Sequence, residues 1–237
     1  ALSTTACTSA ISLTASISDA SGVNITAGTK PRLYYKKSGD ADTYVGNTSA
    51  DNGWKYVEAS NASSPFNFTF DYSLLQSAVV PTDVIQYFVI AADNAGTPNI
   101  GMNNGIFTTP PTSVALTAGA FPLSGTINSF NIINVIPTSV TIGASGTYPT
   151  LTGTGGLFEA INNNALGGNT VATIIDASIT EPGTVALNAI NYGCATYTLT
   201  IKPQTIAVLT GSIGTGALIK LNGADNVIID GSNSGGT

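Results

Sequence analysis

The chain has 237 residues and a formal net charge of −6, with only 8% charged residues and 43% apolar residues. A single arginine and six lysines exclude the basic cluster that nucleic-acid binding requires, and the same scarcity argues against binding to an anionic membrane surface. The absence of histidine excludes serine–histidine triads and histidine metal sites. No apolar run approaches the roughly 20 residues of a membrane-spanning helix, so we expect no membrane insertion.

Short strands separated by turns are predicted over the first hundred residues. Residues 10–19 alternate, with Ile11, Leu13, Ala15 and Ile17 on one face, which is typical of a half-buried strand. The predicted strands lie at residues 10–19, 32–37, 54–58, 65–72, 83–93 and 105–109. Strands of this length with a turn every ten or so residues predict an antiparallel β-sandwich.

The composition changes near Pro137, where aromatic residues become rare and small or β-branched residues dominate. We therefore divide the chain into a sandwich with its connector at residues 1–135 and a second domain at residues 136–237. Residues 157–166 are the one segment with a helical apolar stripe, so the helix is predicted there.

Apolar triplets recur in the second domain. Residues 185–187, 206–208 and 227–229 follow one another at an offset of 21, and residues 199–201 and 219–221 at an offset of 20. A repeat near 20 residues predicts the rungs of a parallel solenoid, in which each rung stacks its apolar side chains on the next. The predicted helix then covers the first rung, whose edge would otherwise expose unpaired backbone groups.

These segments resemble known families. Residues 17–23 (ISDASGV), 30–36 (KPRLYYK) and 87–96 (YFVIAADNAG) resemble immunoglobulin-like or fibronectin-type-III-like modules of large secreted surface proteins of the Bacteroidota. Residues 153–162 (GTGGLFEAIN) and 226–231 (NVIIDG) resemble the start of a pectate-lyase-like right-handed parallel β-helix. The resemblance implies an all-β fold, an antiparallel Ig-like β-sandwich followed by the N-terminal rungs of a β-helix with a short capping helix.

The same resemblance implies a cell location. Modular proteins of this kind resemble cargo of the type IX secretion pathway, which implies export and attachment to the bacterial cell surface. The implied partners are further domains of the same chain, a secretion or surface-anchoring protein, or surface glycans. The chain begins at Ala1 without a leader, and the β-helix would lack a cover after residues 227–229, so we expect a processed fragment of a longer protein.

Asp19 and Asp93 are the candidate metal ligands. In a sandwich, the strands that end at these two positions finish at the same pole, where two carboxylates with Asn94 and backbone carbonyls would suit calcium, which takes six to eight oxygens. The alternative is ordinary turn initiation by aspartate, ahead of Ser21-Gly22 and of Asn94-Ala95-Gly96. No other cofactor is expected.

Two further sets of residues have a functional and a structural interpretation. Asp225 and Asp230 with Lys202 or Lys220 would supply the acidic and basic groups of a polysaccharide lyase or hydrolase, or else Asp230-Gly231 is a turn at a rung corner. The aromatic residues Trp54, Tyr34, Tyr35 and Tyr56 would form a platform for sugars, or else they pack in the core.

Cys7 and Cys194 leave two alternatives open, one bridge or two cysteines without a joint role. A cysteine nucleophile would lack its usual histidine base, so both residues are expected to be structural. Taken together, the sequence favours a non-enzymatic structural or adhesive segment of a secreted, cell-surface adhesin-like protein. The alternative is a carbohydrate-active β-helix enzyme with an accessory sandwich, whose active site lies beyond this chain.

Overall fold

Strands dominate the computed structural model, which describes residues 2–191, 193–214 and 216–232. The chain divides into two units. The N-terminal unit comprises residues 2–4 and 8–132, and the solenoid unit comprises residues 5–7 together with the described residues from Ile133 onward. The short segment at residues 5–7 is therefore separated in sequence from the rest of its unit by the whole of residues 8–132.

The N-terminal unit contains two antiparallel sheets. Its strands are β1 (Ser12–Ala15), β2 (Arg32–Lys37), β3 (Lys55–Glu58), β4 (Phe66–Thr69), β5 (Val84–Ala92), β6 (Ile100–Met102) and β7 (Asn128–Asn131). One sheet has the order β3-β2-β5-β6, with β7 also paired to β5, and the other consists of β1 and β4. All of these pairs are antiparallel.

Alternation of side chains places large residues on both faces of the larger sheet. On β2, Leu33 and Tyr35 enter a cluster shared with Phe66 and Phe68 of β4, while Tyr34 enters a second cluster on the other face. That second cluster includes Trp54, whose indole N–H donates to Asp42 at 2.6 Å. Since both faces are covered, every residue of β2 is buried, including its lysines.

Most predicted strands of this unit are confirmed with shorter ends, and one is wrong. Arg32–Lys37 is a strand over its full predicted length, and residues 83–93 contain β5. Residues 105–109 form only an isolated bridge, between Ile106 and Ser124, so the predicted strand there is wrong. The strand β6 pairs with β5 and was not predicted, because Gly101 interrupts its apolar pattern.

The second unit is a parallel β-solenoid of about three turns. Its strands are β8 (Val135–Ile136), β9 (Ser139–Ile142), β10 (Ala165–Leu166), β11 (Thr170–Ile174), β12 (Ser178–Thr180), β13 (Leu187–Asn188), β14 (Leu199–Pro203), β15 (Val208–Thr210), β16 (Leu221–Asn222) and β17 (Val227–Ile229). The longest sheet has the order β17-β14-β11-β9, and β12–β15, β13–β16 and β8–β10 pair beside it. The prediction of a solenoid is confirmed.

The helix is shorter than predicted. It spans Leu157–Asn163 (α1) and buries Leu157, Phe158 and Ile161 in the solenoid core. The Asn164 side chain donates to the Ala160 carbonyl oxygen at 2.8 Å and its backbone N–H donates to Ile161, which ends the helix. Residues 165–166 then form β10, so the expected helical extension to residue 166 is wrong.

The predicted repeat length is also wrong. The parallel register pairs Val171 with Ser139 and Leu199 with Thr170, and then Val227 with Leu199, so a rung takes about 28–32 residues. The triplets offset by 21 residues fall on β13, β15 and β17, which lie in different sheets and do not stack on one another. The sides of the solenoid have similar apolar compositions, and loops of unequal length separate their strands. Apolar triplets from different sides therefore recur at 21 residues although they belong to different sheets.

The final strand has an open edge in the described part of the chain. β17 pairs with β14 on one side, and Ile228 and Ile229 are each 51% exposed. The same end also exposes Leu221 and Val208. By contrast, the inward residues of β11 and β14, such as Ala172 and Ile201, are buried.

Candidate functional site

A groove of about 660 Å³ lies in the N-terminal unit. Leu13, Ala15 and Ile17 line one side, following β1, and residues 100–103 line the other. Its floor includes Tyr87 and Val89 of β5, which are both almost fully buried. The groove is therefore lined by both apolar and polar groups, and strand edges border it.

The structure brings Asp19 and Asp93 to this same groove. The Asp19 Oδ1 accepts hydrogen bonds from the backbone N–H and the hydroxyl of Ser21, at 2.7 and 2.6 Å. The Asp93 carboxylate accepts from the backbone N–H of Asn99 at 2.8 Å, from its Nδ2 at 2.6 Å and from the backbone N–H of Ala95. Both aspartates thus organise the turns that follow their strands.

These hydrogen bonds hold the pKa of Asp93 below its usual range. The Asn99 side chain contributes most, followed by the Asn99 backbone N–H, and these outweigh the opposing effect of burial. Asp93 is therefore ionised at neutral pH, and it gives this end of the groove a negative charge.

Calcium at Asp19 and Asp93 stays a prediction. In the described residues no group of three or more acidic or cysteine side chains is placed to hold a metal ion, so amide and main-chain oxygens would have to complete the six to eight ligands. The Asn94 Nδ2 donates to the Val23 carbonyl oxygen at 3.3 Å. The hydrogen-bond pattern favours the turn interpretation.

The aromatic residues do not form an exposed platform. Trp54, Tyr34 and Tyr35 are fully buried, and Tyr34 stacks on Phe88 with ring centroids 5.3 Å apart. The Tyr34 hydroxyl donates to the Val114 carbonyl oxygen and accepts from the Leu116 N–H. These residues are core residues, and the sugar-platform interpretation is wrong for them.

The two candidate acidic residues of the solenoid, Asp225 and Asp230, lie in loops next to β17. Asp230 follows β17, and its Oδ1 accepts from the N–H and hydroxyl of Ser232, which together lower its pKa more than the charge of Lys202 does. Lys220 donates to the Gly183 carbonyl oxygen at 2.9 Å. Asp225 is exposed on the approach to β17.

Glu181, which the sequence did not predict as a site residue, is a buried carboxylate that contacts the loop before α1. Glu181 is fully buried, and its two oxygens accept from the backbone N–H groups of Leu151 and Thr152, each at 2.8 Å, and from the Thr152 hydroxyl at 2.5 Å. Three donors satisfy the charge without a cation. Glu181 thereby fixes the loop that leads into α1, which is a structural role.

Cys7 and Cys194 form a disulfide, with Cα atoms 4.8 Å apart and 187 residues of sequence separation. Both cysteines belong to the solenoid unit. The Thr5 carbonyl oxygen, two residues before Cys7, also accepts a hydrogen bond from the Ile133 N–H at 2.9 Å. The segment at residues 5–7 is thus held to the solenoid by a covalent bond and by a backbone hydrogen bond.

Comparisons with known proteins give no relative, since no family model, curated protein sequence or solved structure matches the chain. Within the described residues, none of the helices is long and apolar enough to cross a membrane.

Proposed function

We propose that this chain is a non-enzymatic structural or adhesive segment of a large secreted bacterial cell-surface protein. In this proposal the N-terminal unit is an Ig-like or fibronectin-type-III-like sandwich, and the solenoid is the start of a right-handed, pectate-lyase-like β-helix. The export route is the type IX secretion pathway, and the partners are further domains of the same chain or an anchoring protein. Surface glycans are the targets of the adhesive role.

The Cys7–Cys194 disulfide is the observation that carries the proposal. Disulfides persist in oxidising compartments and are rare in the reducing cytosol, which supports export. A low content of charged residues, 8% in this chain, is also often found in secreted or surface-displayed proteins.

The position of the bridge supports a mechanical role. Cys7 lies near one end of the 237 residues and Cys194 in the third turn of the solenoid, so residues 8–193 form a covalently closed loop. Tension applied to the chain before Cys7 and after Cys194 runs through the bridge and bypasses that loop. Residues 8–132 of the N-terminal unit and the first rungs are then protected from unravelling, which suits a stalk or a displayed domain under shear.

Labelling of intact source cells tests this proposal. An antibody against the N-terminal unit should bind unpermeabilised cells, and the protein isolated from them should contain the bridge when run without reductant. Labelling that requires permeabilisation, or two free thiols in the native protein, would contradict the proposal. Cleavage of a polysaccharide by the purified chain would instead support the enzymatic alternative.

A further inference from the structure

The outer edge of β1 has unpaired backbone groups beside the groove. The Phe70 N–H donates to the Ile11 carbonyl oxygen at 2.9 Å, so Ile11 and Phe70 are a hydrogen-bonded pair of the antiparallel ladder. Residues alternate in such a ladder, and Leu13 and Ala15 therefore also point their backbone groups toward β4. The Ile17 N–H keeps the same direction, toward the Ser64 hydroxyl at 3.0 Å.

It follows that Ser12, Thr14 and Ser16 direct their N–H and C=O groups away from β4. In the described part of the chain no strand pairs with this edge of β1. Across the groove, the Asp93 N–H donates to the Asn99 carbonyl oxygen, so the same alternation turns the backbone groups of Ile100 and Met102 outward from β6. Two strand edges, both without a further strand partner among the described residues, therefore border one groove.

The side chains of β1 favour an extended occupant. Leu13, Ala15 and Ile17 project toward the core but stay only half-buried, whereas Tyr87 and Val89 beneath them are buried. A strand laid along residues 12–18 would place every second side chain on this row, over a length of about 20 Å at roughly 3.3 Å per residue. A volume of about 660 Å³ has room for the apolar side chains of such a segment.

Two charged residues of the groove indicate the direction in which the bound strand runs. Asp19 and Asp93 are the charged residues among those that line the groove, and both lie at the end toward which β1 runs. A strand antiparallel to β1, the slightly more stable arrangement, begins at this end. Its first residue therefore meets two carboxylates, which select a lysine or arginine.

We propose that this groove binds an extended segment of a partner protein as an added β-strand, antiparallel to β1, with alternate apolar side chains facing inward and a basic residue at its N-terminal end. Main-chain hydrogen bonds to Ser12, Thr14 and Ser16 supply the affinity, and the apolar row with the two aspartates supplies the selectivity.

A synthetic heptapeptide tests the proposal directly. The probe is blocked at both ends and reads lysine followed by three threonine–valine pairs, so that its lysine and its valines share one face. Titrated into the full ¹⁵N-labelled chain, it should shift the amide signals of Ser12, Thr14, Ser16, Ile100 and Met102 and slow the exchange of the first three. Replacing its lysine by glutamate should weaken binding about five- to tenfold, and Asp19→Asn in the protein should reduce that difference.

A matched pair of variants at one position isolates the backbone contact. Thr14→Pro removes an outward N–H without disturbing the β4 ladder, and should weaken binding at least about tenfold. Thr14→Val keeps the N–H and removes only the hydroxyl that donates to Asn67 at 3.2 Å, so binding should stay within about twofold. Should Thr14→Pro fail to fold, a heptapeptide N-methylated at the residues facing β1 should lose binding to the unaltered protein.

Three outcomes would overturn the proposal. The first is no amide shift at a peptide concentration of about 1 mM, the weak end of specific affinities. The second is equal binding of the lysine and glutamate peptides. The third is a set of shifts at β1 that depend on protein concentration without peptide, which would assign the groove to a second copy of this chain.

Discussion

Cys7 and Cys194 lie 187 residues apart in sequence and are joined covalently within the same structural unit. The chain passes from the solenoid unit to the N-terminal unit after Cys7 and returns to the solenoid unit at Ile133. The bridge closes a loop that contains residues 8–132 of the N-terminal unit. Long loops gain the most from closure, because the cross-link removes conformational freedom from the unfolded chain.

Removing the bridge should therefore destabilise the protein. Cys194→Ser is expected to lower the free energy of unfolding by about 3–5 kcal/mol, and the double variant with Cys7→Ser should lose no more. Urea unfolding followed by circular dichroism measures the change. A loss below about 1 kcal/mol would mean that the unfolded chain gains little freedom when the bridge is absent.

Glu181→Gln should destabilise the solenoid. The two carboxylate oxygens now accept hydrogen bonds from the backbone N–H groups of Leu151 and Thr152. In the variant, an amide NH₂ group replaces one of these oxygens, so at least one buried N–H loses its acceptor. We expect a loss of about 2–3 kcal/mol. The control is Glu159→Gln, at the first turn of α1, where a more exposed carboxylate accepts from the Gly155 N–H and the amide oxygen can replace it. Equal losses in the two variants would contradict the role given to Glu181.

Stability should fall in acid partly through Asp93. Its folded-state pKa lies below the unfolded value of about 3.9, so its contribution is fully present above that pH and is lost as the pH falls through the lower folded value. The melting temperature of Asp93→Asn should therefore depend less steeply on pH below about 4 than that of the unaltered chain. Parallel pH profiles of the two proteins would contradict this expectation.

Calcium should leave the melting temperature unchanged. The oxygens of Asp19 and Asp93 already accept hydrogen bonds from Ser21, Ala95 and Asn99, which satisfies the two turns without a cation. Melting curves with a chelator and with added calcium measure this. A chelator-induced decrease that disappears in the Asp19→Asn, Asp93→Asn double variant would establish the calcium site instead.

The sequence was sufficient to predict those strands whose pattern is local. Residues 83–93 alternate and residues 32–37 follow Pro31, and each segment contains a strand in the structure. The solenoid was also predictable, because stacked rungs impose a uniform apolar composition on the second unit. Its rung length was not, since the corners between β12, β13 and β14 have unequal lengths that composition does not record.

The features that depend on contacts between distant residues could not be predicted from the sequence. Cys7 reaches Cys194 because residues 5–7 belong to the solenoid unit, and no local pattern predicts that crossing. Glu181 finds its donors 29 and 30 residues earlier in the chain. The burial of Trp54 and Tyr34 depends on Val114, Phe121 and their neighbours, in a segment that reads locally as a connector.

Single-molecule extension of the chain, with handles at its two ends, tests the mechanical claim most directly. With the bridge intact, residues 8–193 should contribute nothing to the unfolded length. Reduction should then release about 600 Å of additional chain at roughly 3.4 Å per residue, and Cys7→Ser should show the longer extension with or without reductant. Equal extensions of the oxidised and reduced chains would contradict the account, because the force would then pass through the strands between the two cysteines.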